Sequence, residues 1–231
     1  SFPVPIMIHP EHQRRAYLQA MGIDVWLPRD GDEPGLVEEQ PAVAAESLGW
    51  DELRECVAGC TRCELSQSRT NTVFGVGNTD ADWLIIGEAP GAEEDRRGEP
   101  FVGRAGQLLD QMLFAIGQSR DSVFIANILK CRPPNNRDPK PDEAAACRAY
   151  LERQIELLRP RIILAVGKIA AQNLLGSADP VGRMRGRPHQ FGGIPLVVTY
   201  HPAYLLRSPS QKQKSWSDLC LATRLAAESG S

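Results

Sequence analysis

The chain has 231 residues, is 42% hydrophobic and 24% charged, and carries a formal net charge of −3. That balance suits one folded domain with an extension and argues against an overall basic nucleic-acid coat. No stretch approaches the roughly 18 apolar residues of a membrane span and no charged-then-apolar signal opens the chain, so no membrane partner is expected and a cytoplasmic location is.

In chain order, Ser1–Ile6 precede Met7, which reads as a natural start, so residues 1–6 are expected to be an added leader. Residues 11–28 then place Tyr17, Leu18 and Met21 at helical spacing, followed after Gly22 by Ile23, Val25, Trp26 and Leu27 in a short extended run. An amphipathic segment with a Trp anchor is how a chain engages a partner by folding on it, so residues 1–29 are a candidate docking peptide. Asp30–Glu46 is acidic and poor in large apolar residues, and residues 30–49 are expected to form a flexible linker. Residues 50–231 form the body. Charge follows this division: residues 1–50 hold three Lys/Arg against eight Asp/Glu, whereas from Gly182 onward there are seven against two. A basic C-terminal region is compatible with phosphate contacts, and a solvated helix face is the plainer reading.

The body opens with a helix bearing Cys60 and Cys63. They form a C-x2-C pair, and after a gap of 67 residues Cys131 and Cys147 form a C-x15-C pair. Four thiolates suit either Zn²⁺ or an iron-sulfur cluster. A zinc ribbon brings two short knuckles together within about 20 residues, but here only the first pair is a knuckle, so spacing favours a 4Fe-4S cluster over zinc. Four unrelated buried thiols are the plain alternative. Against it, Cys131 and Cys147 flank a rigid loop-forming stretch holding Pro133, Pro134, Pro139 and Pro141. Cys56 and Cys220 read as non-ligands.

Four near-continuous apolar runs, Trp83 to Gly87, Val123 to Leu129, Arg161 to Gly167 and Leu196 to Tyr200, predict strands buried on both faces. Helical stretches separate them, at about Gly103 to Gly117, Pro141 to Leu158 and Lys168 to Leu175, and a last helix spans Lys212 to Glu228. The alternation implies an α/β fold, a three-layer α/β/α sandwich around a four-stranded, mainly parallel sheet. Ligands of such sheets bind beyond the carboxyl ends of the strands. There the sequence places Glu88, Asn127, Gly167 and His201, a set suited to reading a polar heterocycle. The Gly87–Gly91 loop lacks the dinucleotide and Walker signatures, which removes those ligands.

Five ordered motifs then become specific. They are Gly87-Glu88-Ala89-Pro90-Gly91, Pro100 to Gly106 (PFVGRAG), Asn127 to Pro134 (NILKCRPP), Pro141-Asp142-Glu143-Ala144 with Cys147, and His201 to Arg207 (HPAYLLR). Together they resemble the family 4 uracil-DNA glycosylases over about Cys60 to Leu225. The resemblance implies a structural 4Fe-4S cluster on Cys60, Cys63, Cys131 and Cys147. It also implies uracil flipped out of DNA into a tight pocket and cut from its deoxyribose. Phe101 would stack on the base beside Gly87, Ala89 and Gly91, Asn127 would pair with its edge, and His201 would donate to the oxygen that gains charge. Leu205 or Leu206 would wedge into the vacated stack while Arg207 grips phosphate. Family 1 enzymes have an Asp where this chain has Ala89, a lack that family 4 shares. Glu88 is therefore the nearest candidate to activate water, with Glu94 and Asp95 as alternatives.

Arg14 to Arg29 also resembles the start of the psi subunit of bacterial DNA polymerase III, whose N-terminal peptide docks on the clamp loader. On that resemblance Tyr17, Leu18, Met21, Ile23, Trp26 and Leu27 would be docking positions. The partners would be clamp-loader subunits and the chi subunit. The expected activity is excision of uracil from DNA, and the alternative is a psi-like accessory subunit with little or none of it.

Overall fold

The computed structural model describes residues 45–229. The chain divides at residue 43, and the unit that follows, 44–231, is compact. The positions expected to form a docking peptide, and most of the expected linker, lie outside the described residues. The last linker positions do not behave as tether: Ala45–Ser47 form one 3-10 turn, Ala45 is buried, and Arg153 Nε donates to the Leu48 carbonyl at 2.7 Å.

Six strands form one sheet: β1 (Val76–Gly77), β2 (Trp83–Gly87), β3 (Phe124–Asn127), β4 (Ile162–Val166), β5 (Pro188–Phe191) and β6 (Ile194–Thr199). Their order is β1-β3-β2-β4-β6-β5. The four expected strands, β2, β3, β4 and β6, are the parallel core, in register Leu84 with Phe124, Leu84 with Ile163, and Ile163 with Leu196. The expectation of four strands is corrected to six by two antiparallel edges, β1 on β3 and β5 on β6. Both escape a search for apolar runs, because β1 is two residues long and β5 is half exposed. Edge strands this short are also poor templates for pairing with another chain.

Eight α-helices accompany the strands among the described residues. They are α1 (Trp50–Ala58), α2 (Ala92–Arg97), α3 (Arg104–Phe114), α4 (Pro141–Leu158), α5 (Lys168–Leu175), α6 (Val181–Met184), α7 (Pro202–Arg207) and α8 (Lys212–Glu228). Strand side chains alternate between two cores, as the two-residue period of a strand requires. Leu84, Ile86, Phe124, Ala126, Ile163 and Ala165 pack with Leu53 of α1, Tyr150 and Leu151 of α4 and Leu174 of α5. Trp83, Ile85, Ile125, Ile162 and Leu164 face the other way, onto Leu109 and Leu113 of α3, Leu205 of α7 and Leu219 of α8. That is the expected three-layer sandwich. Because β2, β3, β4 and β6 are parallel, Gly87, Asn127, Val166 and Thr199 end on one edge, and the chain leaves the sheet there four times.

No helix among the described residues is long and apolar enough to cross a membrane.

Candidate active site

A cleft of ≈ 930 Å³ opens over that edge, lined by Glu88, Ala89 and Gly91 after β2, Phe101, Asn127 at the end of β3, Gly167 after β4, and His201 after β6. The four strand-end residues expected to converge therefore do so.

Asn127 is only 2% exposed, yet its side-chain amide makes no hydrogen bond to another described residue. Its polar atoms are not sealed off but open on the cleft, where a ligand can supply the bonds that the protein does not. Gly87 lies directly against it: a β-carbon there would sit 2.4 Å from Asn127 Oδ1 and 2.6 Å from Phe101 Cζ. Glycine is thus required for close approach, letting the amide and the ring share one small space.

Phe101 adopts φ 54°, a left-handed conformation that a bulky residue holds only when its surroundings impose it. Three groups do so. Arg120 donates to the carbonyls of Pro100 at 2.6 Å and Phe101 at 3.2 Å, and Glu94 Oε1 accepts from the amides of Val102 at 3.0 Å and Gly103 at 3.3 Å. Gly106 of α3 lets the Phe101 carbonyl approach, since a β-carbon there would lie 1.6 Å from it. The ring consequently lies near-parallel to His201, at 27° and 5.6 Å between centroids.

His201 caps α7, followed by Pro202 at the first helical position, where its missing N–H costs nothing. Its Nδ1 accepts from the Ala203 amide at 3.1 Å. The proton of a neutral ring is then on Nε2, which makes that atom a donor. Burial, with Arg207 adding to it, lowers the His201 pKa to about 4, so the ring is neutral at pH 7. Gly167, at φ +98°, would set a β-carbon 3.0 Å from that of His201, so the β4 turn also needs glycine.

Three carboxylates line the cleft, Glu88, Glu94 and Asp138. Glu94 is committed to the backbone, as is Asp95 beside it, which accepts from the Thr70 amide at 2.8 Å and the Asn71 amide at 3.2 Å. The two alternatives to Glu88 are thereby removed, because their oxygens hold loops. Glu88 makes no side-chain hydrogen bond among the described residues, and burial, with Asp138 adding to it against Lys168, raises its pKa to about 7.

On α7, Leu205 is 1% exposed and packs in the core against α3, which corrects its place as a candidate wedge. Leu206 and Tyr204 are each 37% exposed, and Arg207 is exposed at the cleft. Lys168, at the start of α5, is a second exposed cation on the cleft. Sequence reading missed Lys168, Arg120 and the Glu94 clamp. The Gly91-x-x-Glu94 capping spacing is a local signal for the last, whereas Arg120 has none.

The four cysteines come to one neighbourhood under α1 and α4. Cys131 and Cys147 are buried, Cys60 and Cys63 half-buried, and none is in a disulfide. Burial raises the Cys147 pKa to about 11 and the Cys131 pKa in the same direction, with Cys131 and Cys63 adding to the first and Cys63 and Cys60 to the second. Arg69 Nη1 donates to Cys131 Sγ at 3.2 Å and the Lys130 amide to Cys147 Sγ at 3.5 Å. Buried thiols with N–H donors aimed at sulfur are what a thiolate-bound cluster needs. Among the described residues, no group of three or more His, Cys, Asp or Glu is arranged to hold a single ion. Cys56 donates weakly to the Tyr150 hydroxyl at 3.9 Å, a group that Cys60 also approaches.

Comparison with known proteins shows the family. Relatives named type-4 uracil-DNA glycosylase occur in Archaeoglobus fulgidus (42% identical, covering 75% of this chain and 90% of the relative), Thermotoga maritima (46%, covering 68% and 83%) and Pyrobaculum aerophilum (43%, covering 75% and 93%). These matches give the clamp-loader reading of residues 1–29 no support, and Tyr17, Leu18, Met21, Ile23, Trp26 and Leu27 lie outside the described residues. The model of the uracil DNA glycosylase superfamily matches residues 74–222, which span β1 to most of α8 and every cleft residue named above, and the chain belongs to that superfamily.

Proposed function

We propose that this protein excises uracil from DNA by hydrolysing the N-glycosidic bond of a flipped-out nucleotide. The observation that carries the reading is the Asn127 amide, without a protein partner and open to the cleft, sharing its space with Phe101 in a cleft that also holds a neutral His201. Uracil presents an acceptor and a donor side by side, which an amide matches and cytosine reverses. Phe101 stacks on the ring. His201 Nε2–H donates to the uracil oxygen that gains negative charge as the bond breaks, and a neutral donor suits that task because it need not release a proton. The ionised Glu88 carboxylate orients the water whose oxygen bonds to the sugar, leaving uracil and an abasic site. Leu206, with Tyr204 beside it, fills the vacated stack, and Lys168 and Arg207 take phosphate.

Cys60, Cys63, Cys131 and Cys147 would hold a 4Fe-4S cluster. When bound it would supply a cross-link that ties the segment after α1 to the chain leaving β3, so Asn127, the last residue of β3, would lie four residues before a fixed point. The test of the whole reading is incubation of the protein with a uracil-containing oligonucleotide, followed by alkali cleavage. An abasic product at the uracil position is expected, and none from cluster-loaded protein would end it.

Two further outcomes follow. Gly87→Ala should lower excision by about 10²-fold, because its methyl displaces the Asn127 amide and the Phe101 ring by roughly 1 Å. Thermal unfolding recorded alongside separates that loss from overpacking, which costs about 1–3 kcal/mol. The second concerns pH. Glu88, with its pKa raised to about 7, is protonated below that value and ionised above it, so excision should rise through neutrality. Glu88→Gln should flatten this limb and lower the plateau by about 10²-fold; a variant that keeps the wild-type rise would show that another group sets it.

A further inference from the structure

The uracil-reading strand end is gripped from behind by two fully buried polar side chains that touch no part of the cleft. Lys130 is 1% exposed and Gln154, on α4, is 0% exposed. Lys130 Nζ donates to the Asn127 carbonyl at 3.0 Å and to Gln154 Oε1 at 2.6 Å. Gln154 Nε2 in turn donates to the Phe74 carbonyl at 2.9 Å, a residue 80 positions earlier in the chain. A buried ammonium is tolerated only when hydrogen-bonded, so this lysine is held to these acceptors.

The placement matters because the β2–β3 ladder ends at the pair Gly87 and Asn127. Beyond it the chain is held by the Ile128 and Leu129 amides, which donate to the Gly87 and Glu88 carbonyls at 3.0 and 3.1 Å. Those bonds fix the amides of the turn but leave the Asn127 carbonyl to Lys130. Hydrophobic packing alone would suit these interior positions at lower desolvation cost, so a lysine hydrogen-bonded to a glutamine here serves to fix one geometry. We infer that Lys130 and Gln154 are positioning residues that clamp the Asn127 backbone, so that its side-chain amide meets uracil in one orientation. This rests on the reading of Asn127 as the uracil partner.

The test uses full-length, cluster-loaded protein. Gln154→Met keeps the shape of the side chain and removes the acceptor, and it should weaken inhibition by free uracil by about tenfold. Visible cluster absorption should be unchanged. Gln154→Glu restores an acceptor to Lys130 and should return inhibition to within about threefold of wild type. Should Gln154→Met fail to fold, Gln154→Asn, which withdraws the acceptor by one methylene, is read in the same way. Wild-type inhibition in the Met or Asn variant overturns the clamp, and so does an equal loss in the Glu variant, since both describe a merely structural glutamine. Wild-type protein that excises no uracil removes the parent reading and this one together; active wild type with unmoved uracil inhibition removes this one alone.

Discussion

Asn127→Ala is expected to lower kcat/KM for uracil excision by about 10³-fold. The amide supplies two hydrogen bonds inside a site that excludes water, and truncation leaves both uracil groups unpaired there at about 2 kcal/mol each. The loss should appear in single-turnover rates as well as in affinity, since the same edge is held while the bond breaks. Stability should change little, because the amide has no protein partner in the free chain and its polar atoms open on the cleft. A thermal melt beside a uracil-oligonucleotide time course measures both, and activity within tenfold of wild type would remove Asn127 from the reading.

His201→Ala is expected to cost about 10²–10³-fold in the chemical step, the usual effect of removing one donor aimed at a developing negative charge. Unlike Asn127, His201 also holds structure, since its Nδ1 caps α7 through the Ala203 amide. Loss of a cap costs about 1 kcal/mol, so this variant should melt lower as well. His201→Asn retains a capping side chain and separates the two effects: stability should recover while the rate does not. The depressed pKa sets the pH behaviour. His201 titrates near 4 in the folded chain, so the ring stays neutral and donates through Nε2 across the range above. Sign follows from linkage. A group whose pKa is lowered on folding contributes stability above its unfolded value, near 6.5, and that contribution is lost as pH falls toward 4. His201→Asn should therefore be less sensitive than wild type to unfolding between pH 6 and 4, as followed by circular dichroism.

Much of the fold was legible because its physics is local and repetitive. The runs at 83–87, 162–166 and 196–199 are apolar on both faces, which only a sheet covered on both sides allows, and the helices between them fixed the parallel order. The edge strands had no such signal, since half-exposed Pro188–Phe191 pairs only because the glycine turn at 192–193 folds it back on β6. Leu205 and Leu206 show the limit of a motif: neighbours in sequence, on a helix they point about 100° apart, so one is core and the other is surface.

The cysteine set, the strand-end residues and the charge division were determined by the sequence alone, because spacing and strand polarity bring them to one edge whatever the details of packing. Only the tertiary structure decided which polar groups remain free to act. Glu94, Asp95 and Glu88 are equivalent carboxylates in the sequence, but two are consumed by backbone amides 8 and 25 residues away and one is left in the cleft. The same holds for Lys130, Arg120 and Gln154, whose partners lie 3, 19 and 80 positions off. Hydrogen-bond commitment is set by distance in space, and no periodicity along the chain records it.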